Sequence, residues 1–347
     1  MSSKNNQNTA TEHASALLFA SYPAPSSRLV ITESAESGEQ LITEYQFYRP
    51  NESALLFPDR EILPYDHFSP HEDLTSERMR ILFKLQESSN ITAIISAQTL
   101  LSKLPPVNHI NQSLFNLRSG QKIKPDKLKK QLIELGYQHN QQVWRRGEFS
   151  SRGSILDIYP MGEVKPIRIE WLDDEIETLR YFDTETQRSL EKTEAFSYQP
   201  THEYPLTETG IERFRQQWRA SFSGVAKDSP IYCAVSEGQS YDGLESYLPL
   251  FYDNLACFID FLPNETEIIY SQSSIDNMVN YYKTIDDRFE QLRYDLQRPL
   301  LPPGSLFFSP NDILDLIKSR GAIHSNEFTL QRTLKKPIIQ IDPLRTT

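Results

Sequence analysis

The spacing of apolar residues changes period twice along this chain, and that change limits the fold more than any single motif. Up to about residue 114, short apolar or β-branched runs alternate with segments of helical spacing. Ser27–Thr32, Ala54–Phe57 and Ile91–Ser96 read as strands, with a further candidate at Ser15–Tyr22. Ser37–Tyr48, Asp73–Leu85 and Ala97–Leu104 read as helices, the second on the spacing of Leu74, Met79, Ile81, Leu82 and Leu85. Strand–helix alternation of this kind predicts an α/β layer. From residue 115 to 199 the period falls to two. One helix, Lys127–Leu135, is opened by Pro125-Asp126 and closed by Gly136. A strand meander follows at Val143–Phe149, Ser154–Tyr159, Pro166–Leu172 and Ile176–Phe182. From residue 207 helical spacing returns in Glu208–Phe222, Gln272–Leu292 and Ile313–Lys318, with strand candidates at Ile231–Val235, Ala256–Phe261 and Glu267–Tyr270.

The expected organisation is an α/β scaffold built from residues 1–114 and 200–320, with a small α+β domain at 115–199 and a tail or linker at 321–347. The polar start, residues 1–12, reads as a disordered tail. Charge separates the parts. The 347 residues carry a formal net charge of −11, which opposes general binding to a phosphate backbone. Residues 115–199 hold 14 Lys and Arg against 14 Asp and Glu, so the whole surplus lies outside them. The two cysteines, Cys233 and Cys257, form no CxxC or Cys/His cluster, which excludes a zinc motif and fits a reducing cytoplasm. No stretch approaches 18 apolar residues and no basic cluster precedes the short run Ala14–Ala20, so neither a membrane span nor a signal peptide is expected.

Few patterns suggest catalysis. Trp171-Leu172-Asp173-Asp174-Glu175 ends an apolar strand with three acids, as the magnesium-binding strand of an ATPase does. The partner of such a strand is a GxxxxGK[ST] loop, whose amides and lysine hold phosphates. The sequence contains none; Gly120-Gln121-Lys122 lacks the first glycine and the hydroxyl. An acidic turn is the simpler reading. His67 and His71 have the i, i+4 spacing of a helical metal site, but Pro70 between them breaks the helix. No cofactor and no metal is expected. The meander says more. In Ile167-Arg168-Ile169-Glu170-Trp171-Leu172, alternation puts Ile167, Ile169 and Trp171 toward a core and Arg168, Glu170 and Leu172 toward solvent. Arg152 stands next to Gly153, where a tight turn or bulge is easy, and Arg145 and Arg146 lie one strand earlier. An exposed leucine among arginines predicts a contact patch, although a merely solvated sheet face gives the same pattern.

The segment Glu148–Pro160 (EFSSRGSILDIYP) resembles the GxFxxRGxxxDIFP signature shared by UvrB and the transcription-repair coupling factors (Mfd). LPYDHFSPH at 63–71, YLPLFY at 247–252 and RPLLPP at 298–303 resemble the coupling factors in particular. The resemblance runs from about residue 28 to about 320. It implies a module similar to UvrB domains 1a, 2 and 1b: a degenerate, P-loop-type helicase-like domain that has lost its phosphate loop, carrying an inserted UvrA-binding domain. The arginines that contact UvrA in that family match Arg152 and Arg168, and a neighbouring contact position, aromatic in some relatives, matches Leu172. The family's RNA-polymerase-binding domain and DNA translocase have no counterpart in these residues, so DNA and RNA polymerase are expected as partners only through them. The resemblance thus implies a non-enzymatic adaptor for UvrA in transcription-coupled repair. Two other readings remain at this stage: a divergent ATPase or nuclease using Asp173, Asp174 and Glu175, and a structural brace for a motor.

Overall fold

A computed structural model of the chain describes residues 27–324 except 53, 88 and 89. The strand candidate at 15–22 and the two expected tails fall wholly or mostly outside these residues. The strands, in chain order, are β1 (Arg28–Thr32), β2 (Ala54–Phe57), β3 (Thr92–Ser96), β4 (Phe115–Arg118), β5 (Gln138–His139), β6 (Glu148–Arg152), β7 (Ile155–Ile158), β8 (Ile167–Leu172), β9 (Glu175–Phe182), β10 (Ser189–Thr193), β11 (Ala195–Tyr198), β12 (Glu267–Tyr270) and β13 (Ile323–His324). They form three sheets. The first is parallel, in the order β13-β12-β1-β3-β2. The second has the order β10-β9-β8-β7-β6-β5, and β11 pairs with β4 in the third. The chain therefore leaves the parallel sheet after β3, builds the two other sheets, and returns to it at β12.

The parallel sheet is covered on both faces, and that explains its unbroken apolar strands. Leu29 and Ile31 of β1 join Phe57, Ile95, Met79, Leu82 and Phe258 in one core; Val30 turns the other way, toward Ile94, Ile269 and Tyr45. The Glu72–Glu87 helix lies in the first core and the Ala35–Tyr48 helix, capped by the Ser34 hydroxyl, in the second. Gly38 lets the latter pack closely, since a Cβ there would come within 2.9 Å of Leu56 Cδ1. A separate aromatic core gathers Phe214, Trp218, Tyr232, Tyr247, Phe251 and Tyr65. The six-stranded meander has a core of its own: Leu128 and Leu132 from the Pro125–Glu134 helix pack on Phe149, Leu156, Ile158, Ile167, Ile169 and Trp171.

Four local expectations need correction. Ile231–Val235 is not a strand but part of a helix, Pro230–Ser236. Its β-branched content misleads, because Pro230 presets the first helical turn and Ile231, Tyr232 and Val235 face the aromatic core together. Ala256–Phe261 contributes one bridge, Leu104 to Ala256, and then a 3-10 turn at Phe258–Phe261 stitched by the Asp260 carboxylate accepting from Cys257 N at 2.8 Å. The helix expected at Ala97–Leu104 stops after Leu100, because Leu104 is drawn into that bridge. The strand expected from Val143 begins only at Glu148, after Gly147 at φ +79°; the Glu148 carboxylate accepts from the backbone N–H of Trp144 and Arg145 and holds that turn.

Two polar clusters tie the meander to the rest of the chain. At the entrance, Arg145 pairs with Glu72 at 3.4 Å, Arg146 pairs with Asp73, and Gly162 N donates to Ser76 Oγ at 2.7 Å. These two arginines thus point to the Glu72–Glu87 helix rather than to the solvent face of the sheet. At the exit, Glu203 is buried between Arg60 and Arg78, with Arg78 Nε at 3.0 Å.

Candidate protein-docking face

The solvent face of the meander is set by strand register. In an antiparallel pair, directly opposed residues share a face. Arg152 opposes Ile155, which opposes Glu170, which opposes Thr178; that is one row across β6, β7, β8 and β9. The neighbouring row runs Ser150, Asp157, Arg168, Arg180, Lys192 from β6 to β10. Leu172, opposite Glu175, lies beyond the first row. The structure thus brings Arg152, Arg168 and Leu172 to one face. At roughly 3.3 Å per residue, the four steps from Arg168 to Leu172 cover about 13 Å.

Two tight turns hold the edges of this face. Gly153-Ser154 closes β6–β7, and Gly153 has φ +59°, a conformation that glycine adopts without strain. It leaves Arg152 at the last paired position, exposed, with Nη2 donating to the Gln141 carbonyl at 2.6 Å. Beside it is a hollow of about 450 Å³ lined by His139, Asn140, Gln141, Ser150 and Ser151. Asp173-Asp174 closes β8–β9, with Asp173 at φ +57° and the Asp174 carbonyl accepting from Ile123 N. Leu172 stands next to this turn, 64% exposed while its strand neighbour Trp171 is buried.

Arg168 differs from the sequence-based expectation. It is half-buried, and Asp157 holds it by two hydrogen bonds, Nε to Oδ1 at 2.7 Å and Nη2 to Oδ2 at 2.9 Å. Nη1 reaches the Gln187 carbonyl at 3.2 Å and Ser189 Oγ at 3.1 Å, and the guanidinium lies over the Phe182 ring. The side chain therefore braces β7, β8 and the β9–β10 turn besides presenting one edge outward. Alternation places Arg168 toward solvent, whereas the structure leaves its side chain only partly exposed. Arg168→Ala would leave the buried Asp157 carboxylate without its counter-charge, so it should lower stability by about 2–3 kcal/mol, below the full value for a completely buried pair because Arg168 keeps some solvent. A urea titration checks this; a change under about 0.5 kcal/mol, the level of an ordinary surface substitution, contradicts it.

The acids Asp173, Asp174 and Glu175 form a hairpin turn and strand start, with Lys124 Nζ 3.9 Å from Asp174. Among the described residues, His, Cys, Asp and Glu nowhere gather into a group that could hold a metal ion. His71 instead flanks Glu72 and Asp73 at the start of a helix. No described helix is long and apolar enough to cross a membrane. The groups missed at the sequence level are Asp157 and Arg180. Alternation puts both on the solvent face, but only register shows that they flank Arg168.

Residues 115–204 match the family described as the UvrB interaction domain. The chain is 35% identical over 270 residues to the transcription-repair-coupling factor of Haemophilus influenzae, covering 78% of this chain and 24% of that protein. It is 36% identical over 262 residues to that of Escherichia coli, covering 75% and 23%. With the Myxococcus xanthus factor the match extends over 94% of this chain at 27% identity. The chain spans about a quarter of the length of these relatives.

Proposed function

Because this chain is a relative of the transcription-repair-coupling factors over one module of theirs, a UvrB interaction domain included, we propose that it is a DNA-repair adaptor that binds UvrA through the solvent face of its meander. Arg152 and Leu172 make the direct contact, and Arg168 contributes an outward edge while holding the sheet. Residues 115–199 form the docking domain, and residues 1–114 and 200–320 form a scaffold of degenerate helicase-like descent. In a full-length coupling factor such a module recruits UvrA to stalled RNA polymerase, and the polymerase and DNA are reached through other parts of that protein.

The observation that carries the reading is Leu172. A large apolar side chain, 64% exposed, stands on the same sheet face as the exposed Arg152 within a domain of the UvrB interaction class. Arginine suits such a contact because its planar fork pairs a carboxylate through two hydrogen bonds. Immobilised chain should retain UvrA from a purified mixture, and excess UvrB should displace it. Retention that UvrB leaves untouched contradicts a shared surface.

The reading excludes nucleotide hydrolysis by these residues. At the end of β1, where a phosphate loop would lie, the Ser34 hydroxyl caps the following helix and Glu33 and Glu36 flank it. A triphosphate there would meet carboxylates in place of an amide cradle and a lysine. Isothermal titration with magnesium-ATP should give no heat of binding. Saturable binding in the micromolar range favours the ATPase alternative built on Asp173, Asp174 and Glu175.

A further inference from the structure

The row that contains Arg168 carries more positive charge than the fold answers. Asp157, Arg168, Arg180 and Lys192 are successive cross-strand neighbours on one face. Asp157 takes up the charge of Arg168 through both its oxygens. The Arg180 side chain, on the other side of Arg168, has no hydrogen bond or ion pair among the described residues, and neither has that of Lys192. Like charges directly opposed on a sheet are destabilising. Two such oppositions in line, Arg168 with Arg180 and Arg180 with Lys192, bring the isolated chain no gain.

We propose that Arg180, with Lys192 beside it, is a further binding residue of this face and that the partner surface meeting it carries carboxylates. This rests on the reading of the face as the UvrA contact. A carboxylate placed between Arg180 and Lys192 completes the row in the pattern that Asp157 begins: acid, arginine, arginine, acid, lysine. Arg180 is half-buried, so its fork is partly pre-ordered, and less freedom is lost on pairing than at a fully exposed site. The chemistry favours an acidic protein surface over a nucleic-acid backbone. Glu170 lies in the row between Arg152 and Thr178, so a phosphate chain running from Arg180 to Arg152 would cross a carboxylate. The exposed Leu172 on the same face asks for an apolar contact that a phosphate chain lacks.

The test measures UvrA affinity by titration calorimetry for wild type, Arg180→Ala, Arg180→Glu and Arg152→Ala at low and moderate salt, with a melt of each variant and a duplex-DNA titration. Arg180→Ala should weaken UvrA binding about fivefold or more and Arg180→Glu further, with the loss shrinking as salt rises, as expected for a contact between charges. The melting temperature of Arg180→Ala should hold or rise, because the variant removes a repulsion; a purely structural arginine would lower it. Lost affinity in Arg152→Ala with none in either Arg180 variant overturns this proposal and leaves the docking reading standing. No binding by wild type overturns both. DNA binding by wild type that Arg180→Ala abolishes overturns the acidic-protein partner in favour of a nucleic acid.

Discussion

Glu203→Ala should destabilise the chain by about 3–5 kcal/mol, the usual cost of removing one member of a buried ion cluster. Glu203 sits just past β11, where the chain re-enters the scaffold. It is buried between Arg60, at the end of the β2 segment, and Arg78, on the Glu72–Glu87 helix. Arg78 is fully buried, donates also to the Pro58 carbonyl at 2.7 Å, and lies over the Phe57 ring. Without the carboxylate, both guanidiniums remain in the interior without their hydrogen-bonded partner, and only the more distant Asp59 and Glu245 offset them. Glu203→Gln should cost less, since the amide oxygen still accepts one hydrogen bond. Burial alone would push the Glu203 carboxyl up, but the two guanidiniums more than reverse this and hold it down at about 2, against an ordinary 4.5. A depressed carboxyl stabilises the fold above its unfolded value. That stability is complete above about pH 4.5 and is lost as pH falls toward 2. Wild type should therefore lose stability steeply through this window, and Glu203→Gln should show a shallower slope there. Equal slopes for the two, measured by urea titration at several pH values, would mean that the cluster contributes little to the junction.

The parts of the fold that were legible in the sequence are those fixed by local period. Ile167–Leu172 is a strand with Ile167, Ile169 and Trp171 inward and Leu172 outward because two-residue alternation is a property of six consecutive residues. Gly136 closes its helix because a side chain there would strike Thr201, and the chain takes φ +89°. What was not legible depends on register and on distant partners. Asp157 and Arg168 are eleven positions apart, and nothing local says that β7 and β8 pair so as to oppose them. Glu203 lies 125 positions from Arg78 and 143 from Arg60. Arg145 and Arg146 look like part of a basic patch until the helix carrying Glu72 and Asp73 is placed against them. Segments such as Ile231–Val235 fail for the opposite reason: local β-branching outvotes a proline start when the chain is read residue by residue.

Arg152→Ala should weaken UvrA binding by about 2 kcal/mol or more, the level of an interface hot spot, close to thirtyfold in affinity. The side chain is exposed at a hairpin end and its one hydrogen bond among the described residues goes to the Gln141 carbonyl, so the substitution leaves no buried charge behind. Stability should stay within about 0.5 kcal/mol of wild type. Leu172→Ala should weaken binding less, because it removes only a small apolar contact from an already exposed position. Arg168→Ala should lose both affinity and stability, and for that reason it is the least informative of the three about direct contact.

The measurement that bears most directly on the adaptor reading is the UvrA dissociation constant of Arg152→Ala against wild type, taken with thermal melts of both. A loss of about thirtyfold with an unchanged melting temperature is expected. Unchanged affinity would place the UvrA contact elsewhere on the chain, and a lost affinity accompanied by a lowered melting temperature would make Arg152 a structural residue rather than a docking one.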